Sequence, residues 1–186
     1  SLLNGCSQIN LSGLRFTSHQ NPHCVLTYDE AGNKQEVLYG GVAPIDFEQI
    51  EPFLDCRAVC LNFITGTELS LDTMEKIRRC RTGPIFMDIH SLTLTTGDEN
   101  RRYLCKPRNW ESWAACADFV QCNEKEASLL ADEPLVDKEA VERFGERILG
   151  LGPVGFLITR GSRGSLTVSR SASGQVEIRS YGAVPG

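Results

Sequence analysis

An α/β fold is predicted for this chain of 186 residues: a mostly parallel sheet with helices on both faces and antiparallel hairpins at its edges. Three observations carry that prediction. Short apolar runs alternate with segments of helical period, in the β-α-β-α-β-α-β order that builds parallel sheets covered by helices. Two of the runs end on polar clusters, Asn123-Glu124-Lys125-Glu126 and Thr159-Arg160-Gly161-Ser162-Arg163-Gly164, and strand ends are where such sheets bind ligands. The length suits one domain, or a large piece of one, and 41% hydrophobic residues can fill a proper core.

In chain order, residues 23–28 and 35–39 read as a β-hairpin, two runs of β-formers joined by the Gly-containing connection 29–33 and ended by Gly40-Gly41. Asp46 suits the cap of a short helix reaching Leu54, with Ile45, Ile50, Phe53 and Leu54 as its apolar side. Residues 58–62 form a strand. Ser70 caps a helix to about Cys80, in which Leu71, Met74 and Ile77 share one side. Residues 84–88 are the next strand, closing on the carboxylate of Asp88. The stretch 89–106 is polar and irregular and reads as the most mobile loop. Residues 109–117 look helical and hold Trp110 and Trp113, which suit packing. Strand 119–122, helix 124–131 and a longer helix 138–149, stopped by Gly150 and Gly152, follow. Strand 154–159 leads through Gly161–Gly164 into 165–169, and Ser173-Gly174 turns the chain into a last strand, 176–181.

Composition excludes several classes. Net charge is −5 and the basic residues are paired at most (Arg78-Arg79, Arg101-Arg102), so no nucleic-acid surface is expected. No apolar stretch approaches the roughly 20 residues that cross a bilayer, and the start lacks a signal-peptide pattern, so no membrane partner is expected. Eight cysteines include no C-x-x-C pair. They read as buried, reduced thiols in a reducing compartment, the cytoplasm.

Chemistry is sought at the strand ends Asp88, Asn123 and Thr159. Asn123 and Glu126, three residues apart, project from nearly the same side of a helix. An amide and a carboxylate so placed suit a water-bridged Mg²⁺, but equally an N-cap with its capping-box partner. Gly161 and Gly164 suit a turn bordering a nucleotide, but equally any hairpin that needs positive φ. Neither a dinucleotide fingerprint nor a Walker A loop is present. His90 follows Asp88 by two and invites an acid–base reading, while no Ser or Cys sits in a nucleophile elbow. His19 and His23, near Cys24, have poor zinc spacing and read as loop residues.

The run Ala117-Asp118-Phe119-Val120-Gln121-Cys122-Asn123-Glu124-Lys125-Glu126-Ala127-Ser128-Leu129-Leu130 resembles the "AD…N-x-x-E-A-x-x-L" signature of the ribokinase-like (PfkB-type) carbohydrate and nucleoside kinases. Phe156 to Ser165 is similar to that family's "T-x-G-x-x-G", and Ile85-Phe86-Met87-Asp88 falls at its "D-x-N-x-R" strand. The resemblance covers nearly the whole chain. It implies a truncated ribokinase-like domain over 1–186, with hairpin 23–39 part of the lid that closes over substrate. It implies ATP and Mg²⁺ as cofactors: Asn123 and Glu126 would organise the metal and phosphates, Glu126 as the metal residue, while Thr159 and Gly161 border the nucleotide and Gly164 shapes the turn. Asp88 and His90 would face the substrate, a small sugar or nucleoside; a homodimer is allowed for. The reaction implied is transfer of the γ-phosphoryl group to an alcohol.

Two departures qualify the resemblance. His90 and Leu92 stand where the strand motif has Asn and Arg. The family's Gly-Ala-Gly-Asp segment, with its amide cradle and general base, is expected after Gly186, and the N-terminal substrate region is expected ahead of this chain. No catalytic residue is therefore expected within it, and alone it should not catalyse. Two rivals stand beside this reading: a non-catalytic or degenerate family member that only holds nucleotide, and an unrelated α/β enzyme whose N-x-x-E is just a capping box.

Overall fold

The computed structural model describes residues 10–16, 18, 20–30 and 34–183; Cys6, His19, the tip of the first hairpin at 31–33 and residues 184–186 lie outside them. Strands β1 (His23–Tyr28) and β2 (Lys34–Tyr39) pair antiparallel, His23 opposite Tyr39, as their β-forming residues predict. Helix α1 (Phe47–Ile50) passes into a 3₁₀ turn, Glu51–Phe53, instead of running on to Leu54. Pro52 explains the break, because it brings no N–H to an α-helical ladder.

Strand β3 (Val59–Asn62) precedes α2 (Leu71–Cys80), whose cap is as expected: Ser70 Oγ accepts from Thr73 N at 3.0 Å. After β4 (Ile85–Asp88) the stretch 89–106 is not the irregular loop its polarity suggests. It holds a 3₁₀ turn, His90–Thr93, and a second hairpin of β5 (Leu94–Thr96) and β6 (Arg102–Leu104). Leu94 faces Leu104 and Thr95 faces Tyr103, cross-strand pairs that stabilise a short ribbon, and Gly97 N donates to Arg101 O at 2.8 Å to close it. Helix α3 (Trp110–Ala115), strand β7 (Phe119–Asn123), helices α4 (Glu124–Ala131) and α5 (Lys138–Gly150), and strands β8 (Gly155–Thr159), β9 (Ser165–Arg170) and β10 (Val176–Tyr181) complete the order.

The main sheet runs β10-β9-β8-β7-β4-β3, parallel from β3 to β8 and antiparallel across β8, β9 and β10. One face is the core. Ile85, Met87, Val120, Cys122, Phe156, Ile158 and Val168 are buried in one cluster with Met74 and Ile77 of α2, Trp110 and Trp113 of α3, Leu130 of α4, and Phe144 and Ile148 of α5. Phe144 meets Phe156 edge-on, centroids 5.4 Å apart.

The alternate strand positions tell the other half. Cys60, Phe86 and Phe119 are exposed, the two phenylalanine rings stack at 4.6 Å, and a groove of about 520 Å³ lies over them. Among the described residues the buried core thus lies on one side of the sheet and this groove on the other. A run such as Ile85-Phe86-Met87 reads as doubly buried even when only Ile85 and Met87 are.

Asp118 ties the strand starts together. Its Oδ2 accepts from Ile85 N (2.8 Å) and Arg78 Nη1 (2.9 Å), its N–H donates to Ile85 O, and its carbonyl accepts from Val154 N and Gly155 N. Among the described residues the cysteines are all free thiols, but only Cys116 and Cys122 are buried. Cys56, Cys60, Cys80 and Cys105 are exposed, which corrects the expectation of buried thiols, since apolar neighbours in sequence do not fix which face of a strand or helix a thiol takes. No helix among the described residues is long and apolar enough to cross a membrane.

Candidate functional site

The parallel register sets Asn62 beside Asp88, Asp88 beside Gln121, and Asn123 beside Thr159, so the polar residues form a row along the carboxyl ends of four strands. Chemistry-bearing side chains from separate parts of the chain thus meet at one edge. Asn123 and Thr159 are direct neighbours on adjacent strands, not residues of separate edges.

Asn123 is the N-cap of α4, its Oδ1 accepting from Lys125 N (2.9 Å) and Glu126 N (3.1 Å). Glu126 completes the capping box: its Oε2 accepts from Asn123 N at 2.8 Å, and its Oε1 accepts from the Asn123 side-chain amide and pairs with His90 Nδ1. The carboxylate is only 1% exposed. His90 therefore turns toward Glu126, and the bond to that carboxylate, acting against burial, raises the imidazole pKa above its ordinary value. The partner predicted for His90 contributes differently: Asp88 Oδ1 accepts from His90 N (2.9 Å) and its Oδ2 from Gln121 Nε2 (3.2 Å), which orients the turn rather than the ring.

The first hairpin reaches this site through Glu36. Glu36 of β2 is buried, with His90 Nε2 3.7 Å from its Oε1 and Arg102 Nη1 3.4 Å from its Oε2; Lys34 pairs with it as well. Burial alone would raise the Glu36 pKa, but Lys34, His90 and Arg102 together hold it below the ordinary carboxylate value. Arg102, its side chain 3% exposed, also donates to the carbonyls of Ile64 (2.9 Å), Thr65 (3.3 Å) and Ser91 (3.4 Å). Val37 bridges Arg101, so β2 is docked on the second hairpin by backbone as well as by charge.

On the other side of Asn123, the turn after β8 is a 3₁₀ turn, Gly161–Arg163. Gly161 and Gly164 both take positive φ, +56° and +81°. Gly164 has a second reason to be glycine, because a Cβ there would fall on the carbonyl oxygen of Tyr181. A cavity of about 850 Å³ opens beside the turn, with Leu135, Val141, Leu166 and Ile178 in its lining and Lys125, Arg160 and Arg163 among its charged residues. Arg160 Nη2 donates to Ser180 Oγ (3.1 Å), while its buried Nε has no hydrogen-bond partner among the described residues.

A resident Mg²⁺ at Glu126 does not fit this arrangement. A carboxylate offers about four acceptor positions, and three are taken by protein groups. Mg²⁺ keeps several waters around itself, and a carboxylate 1% exposed gives them no room. Among the described residues no group of three or more His, Cys, Asp or Glu is placed to hold a metal.

Sequence reasoning missed Glu36, Arg102, Gln121, Asn62 and Arg160. Gln121 had a visible signal, a lone polar residue between Val120 and Cys122 two positions before a strand end. Arg102 had none and Glu36 only Lys34 two residues away, since their other partners lie far along the chain.

A mostly parallel sheet with helices, antiparallel closing strands and separate hairpins make a ribokinase-like α/β fold, and solved structures agree. The chain aligns with ribokinase from Thermotoga maritima over 91% of its length at 19% identity, TM-score 0.63; with ribokinase from Giardia lamblia over 91% at 16%, TM-score 0.63; and with Arabidopsis thaliana ribokinase complexed with ribose and ATP over 90% at 15%, TM-score 0.62. It spans about half of each of those chains, 50% in all three. No protein-family model matches the chain, and no curated protein does.

Proposed function

We propose that this chain is the nucleotide side of a PfkB-type kinase that transfers the γ-phosphoryl group of ATP to an alcohol of a sugar or nucleoside in the cytoplasm. The observation that carries the reading is the pairing of Asn123 with Thr159 at adjacent strand ends, next to the Gly161–Gly164 turn and the cavity beside it. Apolar side chains such as Leu166 and Ile178 suit the faces of a base. Lys125, Arg160 and Arg163 suit a phosphate chain, and Arg160 Nε has a donor to give. In this reading Asn123 and Glu126 fix the start of α4 against the cleft, and Mg²⁺ travels on the nucleotide phosphates. Asp88 and His90 border the acceptor alcohol, and hairpin 23–39 is part of the lid that excludes water.

ATP titration of this chain by calorimetry tests the nucleotide site, and a phosphotransfer screen of the full-length protein against sugars and nucleosides tests the reaction. ATP is expected to bind at one site, and Arg160→Ala to weaken it about tenfold or more, the loss of a charge-assisted phosphate contact. Binding that is absent, or that ignores both Arg160→Ala and Leu166→Asp, overturns the reading. ATP binding by this chain, together with no transfer to any alcohol by the full-length protein, would assign it to holding nucleotide alone.

A further inference from the structure

We propose that His90, and not a divalent ion, is the standing partner of the Glu126 carboxylate, so that any metal this protein uses stays on its nucleotide and never coordinates Glu126. The argument begins with the carboxylate's own geometry. Asn123 presents its backbone N–H at 2.8 Å to Oε2 and its side-chain amide to Oε1, and His90 Nδ1 closes the remaining side of Oε1. Asn123 cannot turn its amide round to relieve the arrangement, because its Oδ1 already accepts two N–H groups from the first turn of α4.

The main chain that carries the ring is fixed as well. His90 N donates to Asp88 Oδ1 at 2.9 Å, Thr93 Oγ1 donates to His90 O at 2.7 Å, and Leu92 N donates to Ile89 O at 3.0 Å across the 3₁₀ turn. The imidazole itself lies between two carboxylates, bonded through Nδ1 to Glu126 on α4 and with Nε2 3.7 Å from Glu36 Oε1 on the first hairpin. The ring is partly exposed while the carboxylate behind it is sealed, so His90 is the cover of Glu126. A cation that neutralises two facing carboxylates is ordinarily a metal ion; here a planar donor with two nitrogens spans them instead.

The ring's removal gives the test. An Asn side chain at position 90 is shorter and leaves Glu36 and Glu126 facing a space that a hydrated divalent ion can enter. Mn²⁺ is titrated by electron paramagnetic resonance, without nucleotide, into the wild type, Glu126→Gln, His90→Asn and the double variant His90→Asn/Glu126→Gln. We expect no saturable site in the wild type, one saturable site in His90→Asn, and its loss in the double variant. A single Mn²⁺ site in the wild type that Glu126→Gln abolishes overturns the proposal, as does a folded His90→Asn protein that gains none. Amide NMR of the wild type is independent of any variant: under Mn²⁺ the signals of His90 and Glu126 are expected to stay sharp, and their selective broadening overturns the proposal. Because nucleotide is left out, failure here leaves the ATP site untouched.

Discussion

Glu126→Gln preserves the size of the side chain while removing its charge, so its cost isolates the hydrogen bonds. In the wild type both carboxylate oxygens accept, Oε2 from Asn123 N and Oε1 from the Asn123 amide and His90. Glutamine offers one oxygen and one NH₂. With the oxygen at Asn123 N, the NH₂ faces two donors. The imidazole can accommodate it by moving its proton to Nε2, beside Glu36, but the Asn123 amide cannot, because its oxygen is committed to Lys125 N and Glu126 N. One buried donor is left without a partner, costing about 1–3 kcal/mol, and the loss of charge from the surviving bonds adds roughly 1 kcal/mol. The expected destabilisation is about 2–4 kcal/mol. Urea unfolding followed by the fluorescence of buried Trp110 and Trp113 reads it directly. With m near 2–3 kcal/mol/M the midpoint should fall by roughly 1 M. A loss below about 1 kcal/mol would refute the saturated carboxylate on which the reasoning rests.

The two glycines of the turn should separate. Gly161→Ala, with open space at its Cβ, should cost only the positive φ, about 1 kcal/mol, whereas Gly164→Ala would drive a methyl into the backbone at Tyr181 and Gly182 and should cost roughly 3 kcal/mol or more. Equal shifts in thermal unfolding would contradict that difference. Glu68 should contribute acid-sensitive stability: its Oε1 accepts from Ile64 N (2.7 Å) and Thr65 N (2.6 Å), and its Oε2 from Gly66 N (2.9 Å). Burial would raise its pKa, but these bonds outweigh it and set the folded value below the ordinary 4.5. The stabilisation is therefore complete above that ordinary value and lost as pH falls through the lower folded one. The stability gap between wild type and Glu68→Gln should accordingly be full near pH 6 and shrink as the pH falls below the ordinary carboxylate value; a gap independent of pH would count against it.

The alternation of apolar runs and helical periods was enough to place the main-sheet strands and the longer helices, because each carries its pattern within its own ten or so residues. The same holds for Asn123, Glu126 and the two glycines, whose roles are written in local spacing. What could not be read was set by distance along the chain. Arg102 looks like a loop residue until Glu36, Ile64, Thr65 and Ser91 converge on it, and the β5–β6 hairpin is short enough for polarity to mask it. His90 was paired in sequence with Asp88, two residues away, yet its ring goes to Glu126, which folding brings in from α4. The groove over Phe86 and Phe119 was hidden too, since an apolar strand position does not declare whether it will be covered.

The knot at Asp118 has a mechanical consequence. One residue clamps the beginnings of three neighbouring strands, so the sheet is anchored at the end remote from the polar row. Motion that widens or narrows the row must fan outward from that pivot, largest at Asp88, Asn123 and Thr159 and smallest beside Ile85 and Gly155. Breathing at the mouth then leaves the foundations of the fold undisturbed.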